Sequence, residues 1–197
     1  MGFDVHGLDP VTRGQRPERP KDRDFFHGSS PADRAIRDEY WQAMIEFEDE
    51  NPGVYFRRSS WGWRPLWEFV CNASDALTKE DHHSGSFNDA HRISKDAALQ
   101  IADDLTRALE SGQAVAYLKE REERIANLPN RQCDRCKGEG SELAAPIPDK
   151  HLPHGAPCRS CQGSGEQPPW ESMYGMDLEC IEEFRTFCSE CGGFEIC

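Results

Sequence analysis

One eight-residue pattern occurs twice in this chain, and it constrains the fold more than any other feature. Cys133 to Gly140 reads CDRCKGEG and Cys158 to Gly165 reads CRSCQGSG, so both are C-x-x-C-x-G-x-G. Two residues between cysteines let both sulfurs of a tight turn face one ion, and the following glycines permit the positive φ that turns the chain away. Each copy supplies two thiolates. Together Cys133, Cys136, Cys158 and Cys161 provide the ligand count of a closed structural zinc site, with no coordination position left for a catalytic water. The same cysteines could instead form a pair of disulfides.

Composition bounds what surrounds this pattern. A chain of 197 residues has room for one ordinary domain with its own core plus a small metal-stapled appendage. Charged residues make up 30% of it and the mean hydropathy is -0.79, so part of the chain is expected to be solvated. The formal net charge of -13 opposes a phosphate backbone. The expected partner is therefore another protein, and nucleic acid is disfavoured. The stretch Met1 to His6 has no apolar signal core, and nowhere do some 18 uncharged apolar residues run together. The expectation is a soluble, cytoplasmic protein, where thiols stay reduced and C-x-x-C pairs bind metal.

The doubled motif resembles half of the cysteine-rich zinc domain of DnaJ-type co-chaperones. The resemblance implies the metal and an extended, hairpin-like zinc module, but it covers only the motif. The chain departs from that family elsewhere: it has no His-Pro-Asp tripeptide and no Gly/Phe-rich linker, so co-chaperone activity does not carry over. Met1 to Gly7, Tyr55 to Trp67 and Gly192 to Cys197 also resemble segments of otherwise uncharacterised bacterial and bacteriophage proteins. The long stretch between Pro10 and Gly53 looks inserted relative to them. That second resemblance implies no activity.

The expected fold is mainly α (α+β). Phe3 and Val5 alternate with polar residues as a short strand, and residues 8–30, rich in Pro, Arg, Gly and Asp, read as a flexible arm. Ser30-Pro31-Ala32-Asp33 starts a helix that places Ile36, Tyr40, Ala43, Met44 and Phe47 on one stripe and stops at Asn51-Pro52-Gly53. A second helix is expected from Arg64 to about Ala76, opened by Pro65, and Thr78 to His91 reads as a polar loop. Helices over 94–110 and 113–128 are separated by Ser111-Gly112, which predicts an antiparallel helical hairpin. A last helix over 177–188 leads into Phe194 and Ile196, whose alternation matches Phe3 and Val5 and predicts pairing between the two ends. The domain reading is 1–30 strand and arm, 31–130 helical domain, 131–167 zinc module and 168–197 helix and strand packing back on the helices.

Three further clusters have candidate chemistry. Cys180, Cys188, Cys191 and Cys197 could hold a second zinc ion, although Cys180 and Cys188 fall on a helix and lack the glycine signature. Arg57, Arg58, Trp61, Trp63 and Arg64 could stack on bases, with Arg131, Arg135 and Lys137 near the first knuckle, or could simply build the core. His82, His83, Asp89 and His91 could bind metal or act as acid and base, yet adjacent histidines point apart on any regular element. His151 and His154 lie between the knuckles and are expected bystanders, because four cysteines already saturate the ion. These features lead to the expectation of a non-enzymatic, zinc-stabilised protein-interaction module. An inhibitor of a host defence or nucleic-acid enzyme, encoded by a bacteriophage, is its specific form, and an RNA- or single-strand-binding protein is the alternative.

Overall fold

The computed structural model describes residues 2–20, 30–147, 151–153 and 155–197. The chain divides into two compact units, one comprising Met1–Val115 and Met176–Cys197, the other Ala116–Gly175. The first boundary falls at Val115 rather than after residue 130, and the second at Gly175 rather than at 167.

The larger unit is built on a four-stranded antiparallel sheet in the order β2-β1-β6-β3, where β1 is Gly2–Gly7, β2 Tyr55–Ser59, β3 His91–Ile93 and β6 Phe194–Ile196. The expected pairing of the two ends is present: Val5 lies opposite Ile196 and Gly7 opposite Phe194. Alternation places Phe3, Val5, Phe56, Ile93, Phe194 and Ile196 in the core. On the other face Asp4 and Glu195 meet the guanidinium groups of Arg57 and Arg92.

Helices cover the apolar face. α2 (Ser60–Ala73) starts four residues earlier than Pro65 predicts, because Ser59 caps it by accepting a bond from the Gly62 N–H. Pro65 therefore sits inside the helix, and the preceding Tyr55–Ser59 run pairs with β1 as a strand the sequence reading missed. Trp63 lies between Phe3, at 5.5 Å, and Trp67, at 5.4 Å, with its indole N–H donating to the Gly85 carbonyl. α4 (Lys95–Glu110) and α6 (Leu178–Glu190) form the broadest helix-to-helix contact, with Ile101 and Leu105 buried on one and Ile181, Phe184 and Phe187 on the other. The buried Asp104 carboxylate accepts from Ser74 and Gln100, which satisfies it inside that packing.

Three expectations are corrected here. Thr78 to His91 is not a loop, because Thr78 and Asp81 form a reciprocal capping box that starts α3 (Lys79–Ser84), and β3 follows. The stripe on α1 (Pro31–Glu50) is buried only at Met44 and Phe47, whereas Ile36, Trp41 and Ile45 are exposed. The arm is not uniformly loose. Leu8, Asp9 and Val11 donate to the carbonyls of Gly193, Cys191 and Glu190, and the buried Asn51 side chain holds Arg13 by both its N–H and its carbonyl. Residues 21–29 of the predicted arm lie outside the described residues.

In the smaller unit, α5 (Gln113–Ala126) runs in from the larger one, and only Ala114 along its length is buried. It lacks the buried stripe that a hairpin partner needs. β4 (Arg131–Gln132) and β5 (Glu166–Gln167) then pair antiparallel and bring the two knuckles together.

Candidate metal centre

The backbone of each knuckle follows from its residues. After the second cysteine the chain enters the left-handed region at Lys137 (φ 52°) and Gly138 (φ 90°), and again at Gly140 (φ 71°). The second copy repeats this at Gln162 (53°), Gly163 (95°) and Gly165 (77°). This curl aims backbone N–H groups at sulfur: Gly140 donates to Cys136 Sγ at 3.2 Å and Gly165 to Cys161 Sγ at 3.3 Å.

The knuckles then clasp each other reciprocally. The Cys133 N–H donates to the Gly165 carbonyl at 2.8 Å, and the Cys158 N–H to the Gly140 carbonyl at 2.7 Å. The β4–β5 pairing on one side is mirrored by a bridge between Ser141 and Pro157 on the other. These backbone bonds repeat 25 residues along, so the knuckle backbones are related by an approximate two-fold axis. The fit is close enough to demand glycine at both crossing points. A Cβ on Gly140 would lie 2.3 Å from the Gly163 carbonyl oxygen, and one on Gly165 would lie 2.3 Å from that of Gly138.

At the centre, Cys133 Sγ is 3.9 Å from Cys158 Sγ and Cys136 Sγ is 3.7 Å from Cys161 Sγ, and all four sulfurs lie within 4.8 Å of one another. A tetrahedron of sulfurs at the zinc–thiolate distance has an edge of roughly 3.8 Å. The donor set therefore fits a four-coordinate metal ion. All four cysteines are buried, and each of the nine cysteines in the chain is a free thiol rather than half of a disulfide. Burial pushes the Cys136 thiol up to about 11. At Cys161 burial acts in the same direction but is outweighed by the N–H groups of Gly165 and Gly163 and by the neighbouring sulfurs, and the value falls to about 7.

A buried carboxylate supports the scaffold. Glu142 is 3% exposed, receives Nε of Arg135 at 3.0 and 3.1 Å, and accepts from the Arg159 N–H at 3.2 Å. It links the residue between the first two cysteines to the residue after Cys158. Periodicity does not reveal it, and the signal is only its place two residues after the knuckle glycine Gly140 and an acid's need for a cation when buried. His151 is exposed, and His154 lies outside the described residues.

The other predicted clusters are not brought together as sites. Among the described residues, the four knuckle cysteines are the one group of three or more His, Cys, Asp or Glu donors close enough to share an ion. In the proposed second zinc set, Cys180 receives Arg58 Nε at 3.2 Å, the Cys191 thiol faces the Cys188 carbonyl, and the Cys197 thiol faces Glu195. The helix imposes this, since Cys180 and Cys188 lie on α6. Burial raises the Cys188 thiol well above its ordinary range.

The candidate stacking platform is also divided. Trp63 is fully buried, while Trp61, Arg57 and Arg64 are exposed. Arg58 is turned to Glu183, Arg135 to Glu142, and Arg131 stacks 3.7 Å over Trp170. Lys137 is exposed. Of the histidine cluster, His91 Nε2 pairs with Asp81 Oδ1 at 2.8 Å, whereas His82, His83 and Asp89 are exposed. No described helix is long and apolar enough to cross a membrane. No protein-family model, no curated protein and no solved structure matches the chain.

Proposed function

We propose that this chain is a non-enzymatic, cytoplasmic protein-interaction module whose smaller unit is stapled by one zinc ion. The carrying observation is the closed four-thiolate centre. All four positions of a tetrahedral ion are filled by buried sulfurs, and two of those sulfurs also accept backbone N–H groups. An ion held in this way has no position for water or substrate, so it stabilises the fold and does not activate a reactant. Zinc is the natural occupant of four soft thiolates in a tetrahedron. The reciprocal knuckles support the DnaJ-type reading of the motif at the level of local geometry.

The interaction half of the reading is supported by surface character. The chain has a net charge of -13, and it exposes apolar side chains between the knuckles, with Ile147 at 81% and Leu143 at 50%. A bacteriophage-encoded inhibitor of a host enzyme is the specific form of this proposal and rests on the resemblance of the end segments. The nucleic-acid alternative is weakened because Trp63, central to the stacking platform, is in the core.

Two measurements test the proposal. Elemental analysis of the purified protein should find one zinc per chain, lost in the Cys133→Ser/Cys136→Ser variant. Capture of the tagged protein from host lysate should retain a dominant protein after nuclease treatment. Recovery of nucleic acid alone, or loss of every partner on nuclease treatment, would overturn the interaction reading.

A further inference from the structure

The larger unit has an open sheet edge beside an acidic cleft. β2 is an outer strand of the sheet, and among the described residues no strand pairs with its far side. The direction of its backbone groups follows from the ladder. The Gly7 N–H donates to the Val54 carbonyl, while Asp4 exchanges both of its bonds with Cys197. Antiparallel alternation then turns Phe56 and Arg58 toward β1, and turns the backbone N–H and C=O of Tyr55 and Arg57 outward. One outward group is already occupied, since the Arg57 carbonyl accepts from Arg58 Nη1 at 3.1 Å.

Along this edge runs a cleft of about 630 Å³, bounded by the end of α1, by β2 and by α6. Its acids include Glu48, Asp49, Glu179 and Glu182. Arg58 is paired with Glu183 inside the cleft and Arg57 with Asp4 outside it, which leaves Arg185 against the other four carboxylates and the lining net negative. Burial pushes the Glu48 carboxyl up, opposed by Arg16 and reinforced by Asp49.

We infer that this edge accepts an extended, Lys/Arg-bearing segment of a partner protein, which pairs with β2 as a fifth strand. The outward groups of Tyr55 and Arg57 would supply the backbone bonds. Side chains opposite Phe56 and Arg58 share the face toward α6, so basic residues at every second position reach Glu179 and Glu182. The residues between them lie on the outer face beside Tyr55. Backbone pairing provides affinity, while alternate basic positions provide selectivity. This inference rests on the interaction-module reading and gives it a docking site and a partner chemistry.

The test uses the full chain and a fluorescent alternating Lys-Thr octapeptide, read by anisotropy at low and physiological salt. Saturable binding is expected, with no binding of the Glu-Thr counterpart. A Glu179→Gln/Glu182→Gln variant should bind at least about tenfold more weakly; both residues are exposed, and circular dichroism checks that the fold is kept. A peptide N-methylated on the edge-facing amides keeps its charge but cannot pair, and it should lose a similar factor. Equal binding of the methylated peptide, or no saturable binding below about 1 mM, would overturn the inference. If the peptide does not bind while a lysate partner is retained equally by the wild type and by the Gln variant, the docking site is wrong and the module reading stands.

Discussion

At the scale of single residues, the centre depends on two glycines as much as on four cysteines. Any side chain at position 140 or 165 must occupy left-handed backbone, at a cost of about 1–2 kcal/mol, and must also displace a carbonyl 2.3 Å from its Cβ. Gly140→Ala and Gly165→Ala should therefore each lower zinc retention against a competing chelator, whereas Gly155→Ala, which has the same left-handed backbone cost but nothing within 4 Å of its Cβ, should leave the centre's metal retention unchanged. The tryptophans separate just as sharply. Trp63→Ala removes a fully buried ring stacked between two others and should cost about 3–5 kcal/mol in denaturant unfolding. Trp61→Ala, at a position 39% exposed, should cost less than about 1 kcal/mol. The sequence places both rings in one aromatic run and cannot distinguish them. Their difference comes from the helical phase set by the cap at Ser59, a signal that the more conspicuous Pro65 masks in the sequence.

At the scale of elements, α3 shows how a short polar run becomes ordered. Six residues are too few for an isolated helix, and α3 persists because its start is boxed and its backbone is tied to the tryptophans. Thr78 offers Asp81 both its N–H and its hydroxyl, at 2.7 Å each, and His91 on β3 adds a third partner. Burial works to raise the Asp81 carboxyl, but these partners prevail and hold it below the ordinary range. The folded value therefore lies under the unfolded one. Its contribution is complete above about pH 4 and disappears as the pH falls through the folded value. The protection factors of the Gly85 and Ser86 amides, which bond back into α3, should fall on acidification below about pH 4, and Asp81→Asn should flatten that dependence. Thr78→Ala should cost about 0.5–2 kcal/mol. The capping signal was present in the sequence as Thr78-Lys79-Glu80-Asp81, but no apolar stripe follows it, and periodicity alone therefore reads the segment as loop.

At the scale of the whole molecule, the two units draw stability from different sources. The larger is centred on stacked aromatic rings and a sheet in which the first element of the chain, β1, is one of two inner strands. Removing residues 2–7 takes β1 from between β2 and β6 and should abolish cooperative unfolding of the larger unit, while one zinc remains bound. In the smaller unit the buried cluster is the four cysteines themselves, with Ala144 packed against them, so removal of the metal leaves little apolar burial in its place. Chelation should abolish amide protection over 131–145 and 156–167 and preserve it in α4 and α6, as hydrogen exchange would show. The sequence by itself determined the four-cysteine cluster, because donor identity, spacing and glycine-dependent curl are local properties repeated in full within eight residues. It also determined the closure of β1 on β6, whose alternating patterns match, and the capped starts of α1 and α4, where polar and apolar signals agree. Only the tertiary structure decided which tryptophan is buried, that a buried Glu142 ties Arg135 to Arg159, that Cys180, Cys188, Cys191 and Cys197 are not gathered within ligand distance of one another, and that β2 presents an open edge to an acidic cleft. Each of these depends on contacts between segments far apart in the chain, where packing chooses among side chains that local pattern leaves equivalent.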